Sequence, residues 1–220
     1  VPKNDLTLVC DFDGTITTAD IGQALCDRFA PGVLERVDAR RIAGEISLGV
    51  AFREICRGLR ASREEMVRHA LDVATMREGF ADLVGHCRDN GIEVVVASAG
   101  LDLYVEPILE RDLGSLRQSV EVRANAARVT ADGVEVDFPH EHPDCETCAN
   151  CKGLRARSAR RAGRTVIGIG DSFTDACLLD HSDHVFARAW LADHCQERKM
   201  AHETYDDFAP VLRLVRRLSD

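Results

Sequence analysis

Three short, almost wholly apolar runs punctuate the chain: Leu6–Cys10, Ile92–Ala97 and Thr165–Ile169. Unbroken apolar runs of this length suit strands buried on both faces of a parallel sheet. Each run hands over to polar residues. The first ends in Asp11-Phe12-Asp13-Gly14-Thr15, the second in Ser98-Ala99-Gly100, and the third in Gly170-Asp171-Ser172-Phe173-Thr174-Asp175. Between the first two, residues 19–76 change period. Ile21, Leu25 and Phe29 recur at helical spacing, as do Met66, Ala70 and Val73, and less regularly Val50, Ile55 and Leu59. Pro31-Gly32 and Gly44 break the stretch, and Ser62 ahead of Glu64-Glu65 reads as a helix cap. The pattern predicts four helices inserted between the first strand and a helix over Glu78–Asn90. That is far more than a crossover between parallel strands needs. Ser119 to Pro139 alternates instead, with a turn at Asp132-Gly133, and predicts a β-hairpin beside the main sheet. A helix then opens at Lys152, a short strand covers His184–Ala187, and helices follow near 190–199 and 206–218. The expected fold is α/β, a doubly wound and mainly parallel sheet. A catalytic core (1–18 and 77–220) would carry a helical cap (19–76).

Length and composition set limits. The 220 residues, 45% of them hydrophobic, suffice for one core and a small accessory unit. No apolar stretch approaches the roughly 20 residues of a membrane helix, and Leu6–Cys10 is too short for a secretory leader. A net charge of −9 argues against nucleic acid as a partner. The same charge would not attract an anionic substrate, so local cations and amides must hold one. The basic run Arg155–Arg164 reads as the solvated face of a helix. Nine cysteines in a chain this long are not a disulfide scaffold, and Cys10 and Cys177 sit in apolar segments. A reducing, cytoplasmic setting is expected. The oligomeric state is left open, a homodimer included.

The chemistry concentrates at the strand ends. Side chains at i and i+2 of a strand point the same way, so Asp11 and Asp13 face one site. Two carboxylates that close repel unless a cation or a shared proton relieves them. Mg²⁺ favours such all-oxygen surroundings. A solvated strand end with an Asp-Gly turn is the plainer alternative. With Ser98, Lys152, Asp171 and Asp175, however, a hydroxyl, an amine and two more carboxylates join the same sheet edge, where open α/β sheets bind ligands.

This ordered set resembles the four motifs of the haloacid dehalogenase-like hydrolase superfamily: Asp11-Phe12-Asp13-Gly14-Thr15, Ser98, Lys152, and Asp171 with Asp175. Dehalogenases of the family lack the second aspartate, so Asp13 implies phosphoryl chemistry. Further segments resemble the methionine-salvage phosphatase group, whose members act on 2-hydroxy-3-keto-5-methylthiopentenyl-1-phosphate. They are Glu45-Ile46-Ser47, Arg77-Glu78-Gly79-Phe80, Asp137-Phe138-Pro139-His140, Cys148-Ala149-Asn150-Cys151-Lys152, Phe186-Ala187-Arg188 and Tyr205-Asp206-Asp207-Phe208. That group is similar in turn to phosphoserine and phosphocholine/phosphoethanolamine phosphatases.

The resemblance implies a Mg²⁺-dependent phosphatase of a small phosphorylated metabolite. Asp11 would be the nucleophile, forming an aspartyl phosphate, and Asp13 the general acid and then base. Asp11, Asp171 and the backbone carbonyl of Asp13 would hold the metal. Asp175 would support that site from behind or orient Lys152. Lys152, Ser98, the amides of Ala99 and Gly100, and more weakly Thr15 would take the phosphoryl oxygens. Asp20 and Glu45 are specificity candidates, Asp20 equally a helix cap; Arg53 and Arg77 are weaker ones. The segment before Lys152 leaves two readings open. Cys145, Cys148 and Cys151 with His140 or His142 make a tetrahedral Zn²⁺ set, or they are reduced thiols. Phosphoserine, phosphocholine or a secondary-metabolite phosphate are alternative substrates. An inactive binding module, or a zinc or redox sensor on the same fold, is the alternative of another class.

Overall fold

The computed structural model describes residues 5–142 and 149–219. The strands are β1 (Leu6–Cys10), β2 (Glu93–Leu101), β3 (Val120–Thr130), β4 (Gly133–Asp137), β5 (Thr165–Gly170), β6 (His184–Ala187) and β7 (Glu203–Thr204). They form one sheet in the order β4-β3-β2-β1-β5-β6-β7. All neighbours are parallel except β3 and β4. From β1 the chain builds outward through β2 and β3, then returns to β1's other side with β5. The order therefore reverses beside β1, and a ligand crevice is expected outside the carboxyl ends of β1 and β5.

Alternation along the strands explains the two buried faces. Leu6, Leu8 and Cys10 of β1 and Ile167 and Ile169 of β5 share one core with Phe80, Leu83, Leu103 and Ile108. Those four residues lie on α5 (Phe80–Asp89) and α6 (Asp102–Leu113). Val9, Ala97 and Val166 face the other way, onto Ala156, Ala159 and Leu178. These come from α7 (Lys152–Arg161) and α8 (Ala176–Leu179). The doubly wound architecture expected above is the one observed. Helices α9 (Ala189–Glu197) and α10 (Ala209–Ser219) complete the final third.

Residues 21–73 form the four helices α1 (Ile21–Phe29), α2 (Val33–Ile42), α3 (Leu48–Gly58) and α4 (Arg63–Val73). Asp20 caps α1 by accepting from the Gln23 amide at 2.8 Å. Ser62 and Glu65 make a reciprocal capping box at α4.

The expected β-hairpin is present as β3 and β4, although Ser119–Pro139 is not only a hairpin. The first half of β3 is a full sheet strand, paired with β2 from Val120 to Arg123 and again at Asn125, and Ala126–Thr130 pairs with β4. The 11-residue strand serves both partners, and its register with β2 shifts between Ala97 and Leu101. The hairpin leans on the inserted helices, with the Phe52 and Phe138 rings 5.8 Å apart and Arg53 over Phe138. The run Arg155–Arg164 is not uniformly solvated either. Arg155 is buried and pairs with Glu93, and Arg164 donates to the Leu6 carbonyl at 2.5 Å. Glu93 opens β2, and its half-buried carboxylate draws the guanidinium inward.

Candidate active site

The crevice holds the charged residues as the strand-end pattern predicts. Asp11 lies one residue past β1, and its amide still bonds to Ile169 of β5 at 2.9 Å. Gly14 turns the chain at φ 72°, where a Cβ would collide with the Asp171 carboxylate. The glycine is thus needed for close approach as well as for the turn. Lys152, the first residue of α7, is completely buried. Its Nζ donates to Asp11 Oδ1 at 2.5 Å and also to Asp175 Oδ1. The other Asp175 oxygen accepts from the Asp171 and Ser172 amides at 2.9 Å. Asp175 therefore has both oxygens engaged, and it ties the amine to the loop after β5.

Asp11, Asp171 and Asp175 offer carboxylate oxygens within 4.8 Å of one another. One amine does not balance three carboxylates. Burial pushes Asp11 well above the usual carboxylate range, Asp175 adds to this, and Lys152 opposes it. Asp171 rises to about 6, through burial first and Asp175 next. Burial alone would lower the Lys152 value, but Asp11 and Asp175 outweigh it and hold the amine charged.

Asp13 stands across the crevice. Its Oδ1 accepts from the Ile21 amide at 2.9 Å and its Oδ2 from the Tyr104 hydroxyl at 2.7 Å. Burial, then the charge of Asp20, push it up to about 7. Ser98 is fully buried inside β2, which runs on to Leu101, and its Oγ accepts from the Gly100 amide at 2.9 Å. Thr15 turns its hydroxyl toward Asp171, at 3.3 Å.

A cavity of about 390 Å³ connects these groups to the inserted helices. Asp11, Asp13, Asp171, Ala99 and Gly100 line its floor; Leu25, Cys26, Phe52, Ile55, Cys56 and Leu59 line its far wall. Asp20 lines it as well as capping α1. Glu45 does not: it is exposed between α2 and α3 and pairs with Arg40. Arg77 is absent from the lining too. Its buried guanidinium donates to the carbonyls of Gly14, Thr15, Thr17 and Asp206, which fixes the loop after β1.

Cys145 and Cys148 lie outside the described residues. Cys151 precedes α7 and gives its amide to the His140 carbonyl at 2.9 Å, while His142 Nε2 lies 3.5 Å from Arg157 Nη2. Among the described residues, the cluster that could hold a metal is the aspartate one, and nothing supports a structural zinc.

Three contributors escaped the sequence reading. Tyr104 reads as a core aromatic of a buried helix; its one clue is a phenol that needs a partner when buried. Asn125 donates to the Ala99 carbonyl at 2.6 Å, and Asn150 to the Ser98 carbonyl at 3.0 Å. No pattern marked Asn125, and Asn150 stood only as part of the segment resembling the methionine-salvage group, with no role of its own.

The haloacid dehalogenase-like hydrolase family matches residues 8–180, and the chain belongs to that family. A 2-hydroxy-3-keto-5-methylthiopentenyl-1-phosphate phosphatase of Brevibacillus brevis is 33% identical, over 97% of this chain and 96% of its own. The protein of the same name from Geobacillus thermodenitrificans is 31% identical, over 98% of each. In fold, the chain is similar to a phosphoserine phosphatase solved as a phospho-aspartyl intermediate analogue. The TM-score is 0.66 at 19% identity, covering 96% of this chain and 99% of the other.

Proposed function

We propose that this phosphatase hydrolyses a small metabolite phosphate by two displacements at Asp11, with a Mg²⁺ ion as cofactor. The observation that carries the reading is the buried Lys152 amine, shared by Asp11 and Asp175 with Asp171 alongside. Asp11 would attack phosphorus, and its Oδ–P bond forms as the ester P–O bond breaks. Asp13 would give its proton to the leaving oxygen, then take one from the water that cleaves the acyl phosphate. Lys152 would hold Asp11 in line and balance charge on the transferring group. Ser98 and the Ala99 and Gly100 amides would receive phosphoryl oxygens.

The donor chemistry fits the metal. Asp11 and Asp171, with the Asp13 carbonyl, would hold Mg²⁺ in the all-oxygen surroundings it prefers, and the under-compensated charge of these carboxylates favours a cation. When bound, the ion would offset charge on the transferring phosphoryl. Asp175 braces Lys152 and the loop behind that site.

The helices α1–α4 act as a cap that supplies the leaving-group side of the cavity. Its wall of Leu25, Phe52, Ile55 and Leu59 with two thiols suits an apolar, thioether-bearing chain. Among the described lining residues beyond the phosphate site, the cation is Arg41, which Asp38 already pairs at 2.6 Å. A carboxylate such as that of phosphoserine would lack a ready partner there. We therefore favour 2-hydroxy-3-keto-5-methylthiopentenyl-1-phosphate over phosphoserine as substrate. The test is Mg²⁺-dependent phosphate release across a panel holding this ester, phosphoserine and phosphocholine. The reading expects the highest kcat/KM for the thioether ester. A preference for phosphoserine contradicts the substrate, and no release from any ester contradicts the activity.

A further inference from the structure

Asp13 is held from two different parts of the molecule, the inserted helices and the core. One oxygen accepts the Ile21 amide, at the start of the inserted helices; the other accepts the Tyr104 hydroxyl, from the core helix α6. The phenol is deeply buried, and Tyr104 still lines the cavity at the carboxylate it touches. Two glycines make room for that hydroxyl. A Cβ at Gly100 would overlap Tyr104 Oη and stand 2.8 Å from Asp13 Oδ2. On the opposite side, a Cβ at Gly22 would stand 3.3 Å from the same Oη. Gly100 is thus more than a donor in a phosphate loop: with any side chain there, the pair of Tyr104 and Asp13 could not form as it does.

We infer that Tyr104 is a positioning residue for the acid–base step: its hydroxyl fixes the Asp13 carboxyl group so that the proton passes to the leaving oxygen as the P–O bond breaks. The inference deepens the function proposed above and rests on it. In the first displacement the Asp11 Oδ–P bond forms, the ester P–O bond breaks, and the carboxyl proton of Asp13 moves to the departing alkoxide. Tyr104 keeps its own proton throughout and donates only a hydrogen bond. The phenol is buried and packs closely against the backbone of Gly100, which holds it beside Asp13. The carboxyl group it holds would otherwise turn about its last torsion, a broad and soft one. Small misplacements of a catalytic group are costly when reaction depends on alignment.

A leaving group that needs no proton separates this role from simple packing. Tyr104→Phe removes the hydroxyl and keeps the ring. With 3-methylthiopropyl phosphate, an alkyl ester, we expect the single-turnover rate to fall about 10- to 100-fold. KM should stay within about twofold. With p-nitrophenyl phosphate, whose phenolate departs unprotonated, the rate of the first displacement should stay within about twofold of wild type. Equal slowing of both esters would assign Tyr104 a structural role, and no slowing of either would remove it from the reaction; each overturns the inference. Gly22→Ala gives a second route that leaves the core intact and crowds the hydroxyl from the insertion side. It should shift the ratio of the two rates in the same direction by a smaller factor; where Tyr104→Phe does not fold, an unchanged ratio in folded Gly22→Ala protein would overturn the inference. If wild-type protein with Mg²⁺ cleaves neither ester, the proposed function itself fails and the role of Tyr104 falls with it. Wild-type cleavage with an unshifted ratio in the variants removes the role of Tyr104 alone.

Discussion

The two ends of the central strands handle buried charge in opposite ways. At the carboxyl end, Asp11, Asp171 and Asp175 crowd around a single amine, and burial with mutual repulsion drives Asp11 and Asp171 upward. At the amino end, Glu93 is met by Arg155, by the Thr7 hydroxyl at 2.9 Å and by Arg164 at 3.7 Å. Burial alone would raise Glu93, but the hydrogen bonds from Arg155 and Thr7 outweigh it and hold the value below 4.5. One helix serves both ends, since Lys152 and Arg155 are a single turn apart on α7. The contrast separates purpose. A balanced cluster stabilises the fold, whereas an under-compensated one costs stability, which the proposed function puts to use in binding a cation and an anionic substrate.

The sharpest way to break this contrast is at Asp11. We expect Asp11→Asn to lower kcat by about 10⁴-fold or more, since a group at the centre of covalent chemistry has no substitute. Its Tm should hold or rise, because the substitution removes one of the repelling carboxylates. Steady-state kinetics beside thermal unfolding measures both, and a fall in Tm with activity retained would invert the comparison.

Lys152→Met should damage both properties. It leaves buried carboxylates uncompensated, at a cost of about 3–5 kcal/mol. It also removes a charged donor from the transferring group, worth about 10²–10³ in kcat. Denaturant unfolding and phosphate release check the two effects separately.

Arg155→Ala should do the least, and only to stability. A loss of about 1–2 kcal/mol is expected for a charged pair that is a quarter exposed on the Glu93 side, with kcat unchanged. The pH dependence has a definite sign. The folded value of Glu93 lies below its ordinary 4.5, so its contribution is complete above that pH and is lost as pH falls through the folded value. Wild type should therefore lose more stability than Arg155→Ala on acidification below pH 4.5. Parallel curves would show that the pair contributes nothing.

Much of this was legible in the sequence because strand ends announce themselves. Asp11, Ser98 and Asp171 each follow an apolar run, and Lys152 begins a helix just after a polar segment. Such residues are placed by backbone direction, which local pattern carries. What stayed hidden depends on tertiary approach. Tyr104 looks like core until Gly22 and Gly100 close on its hydroxyl, and Arg155 looks solvated until Glu93 is placed beneath it. Glu45 had the right charge in a suggestive segment, yet it pairs with Arg40 and takes no part in the cavity lining. The double service of β3 was equally unreadable, since alternation is the same whichever partner a strand pairs with.

The central claim is that the under-compensated end performs covalent phosphoryl chemistry at Asp11. The most direct measurement is to mix the protein and Mg²⁺ with an ester labelled in its phosphoryl group, quench in acid within one turnover, and locate the label by peptide mass spectrometry. The account predicts an acid-stable, base-labile phosphoryl group on Asp11 that is absent from Asp11→Asn. Turnover of the ester with no label on Asp11, or with the label on another residue, would contradict it.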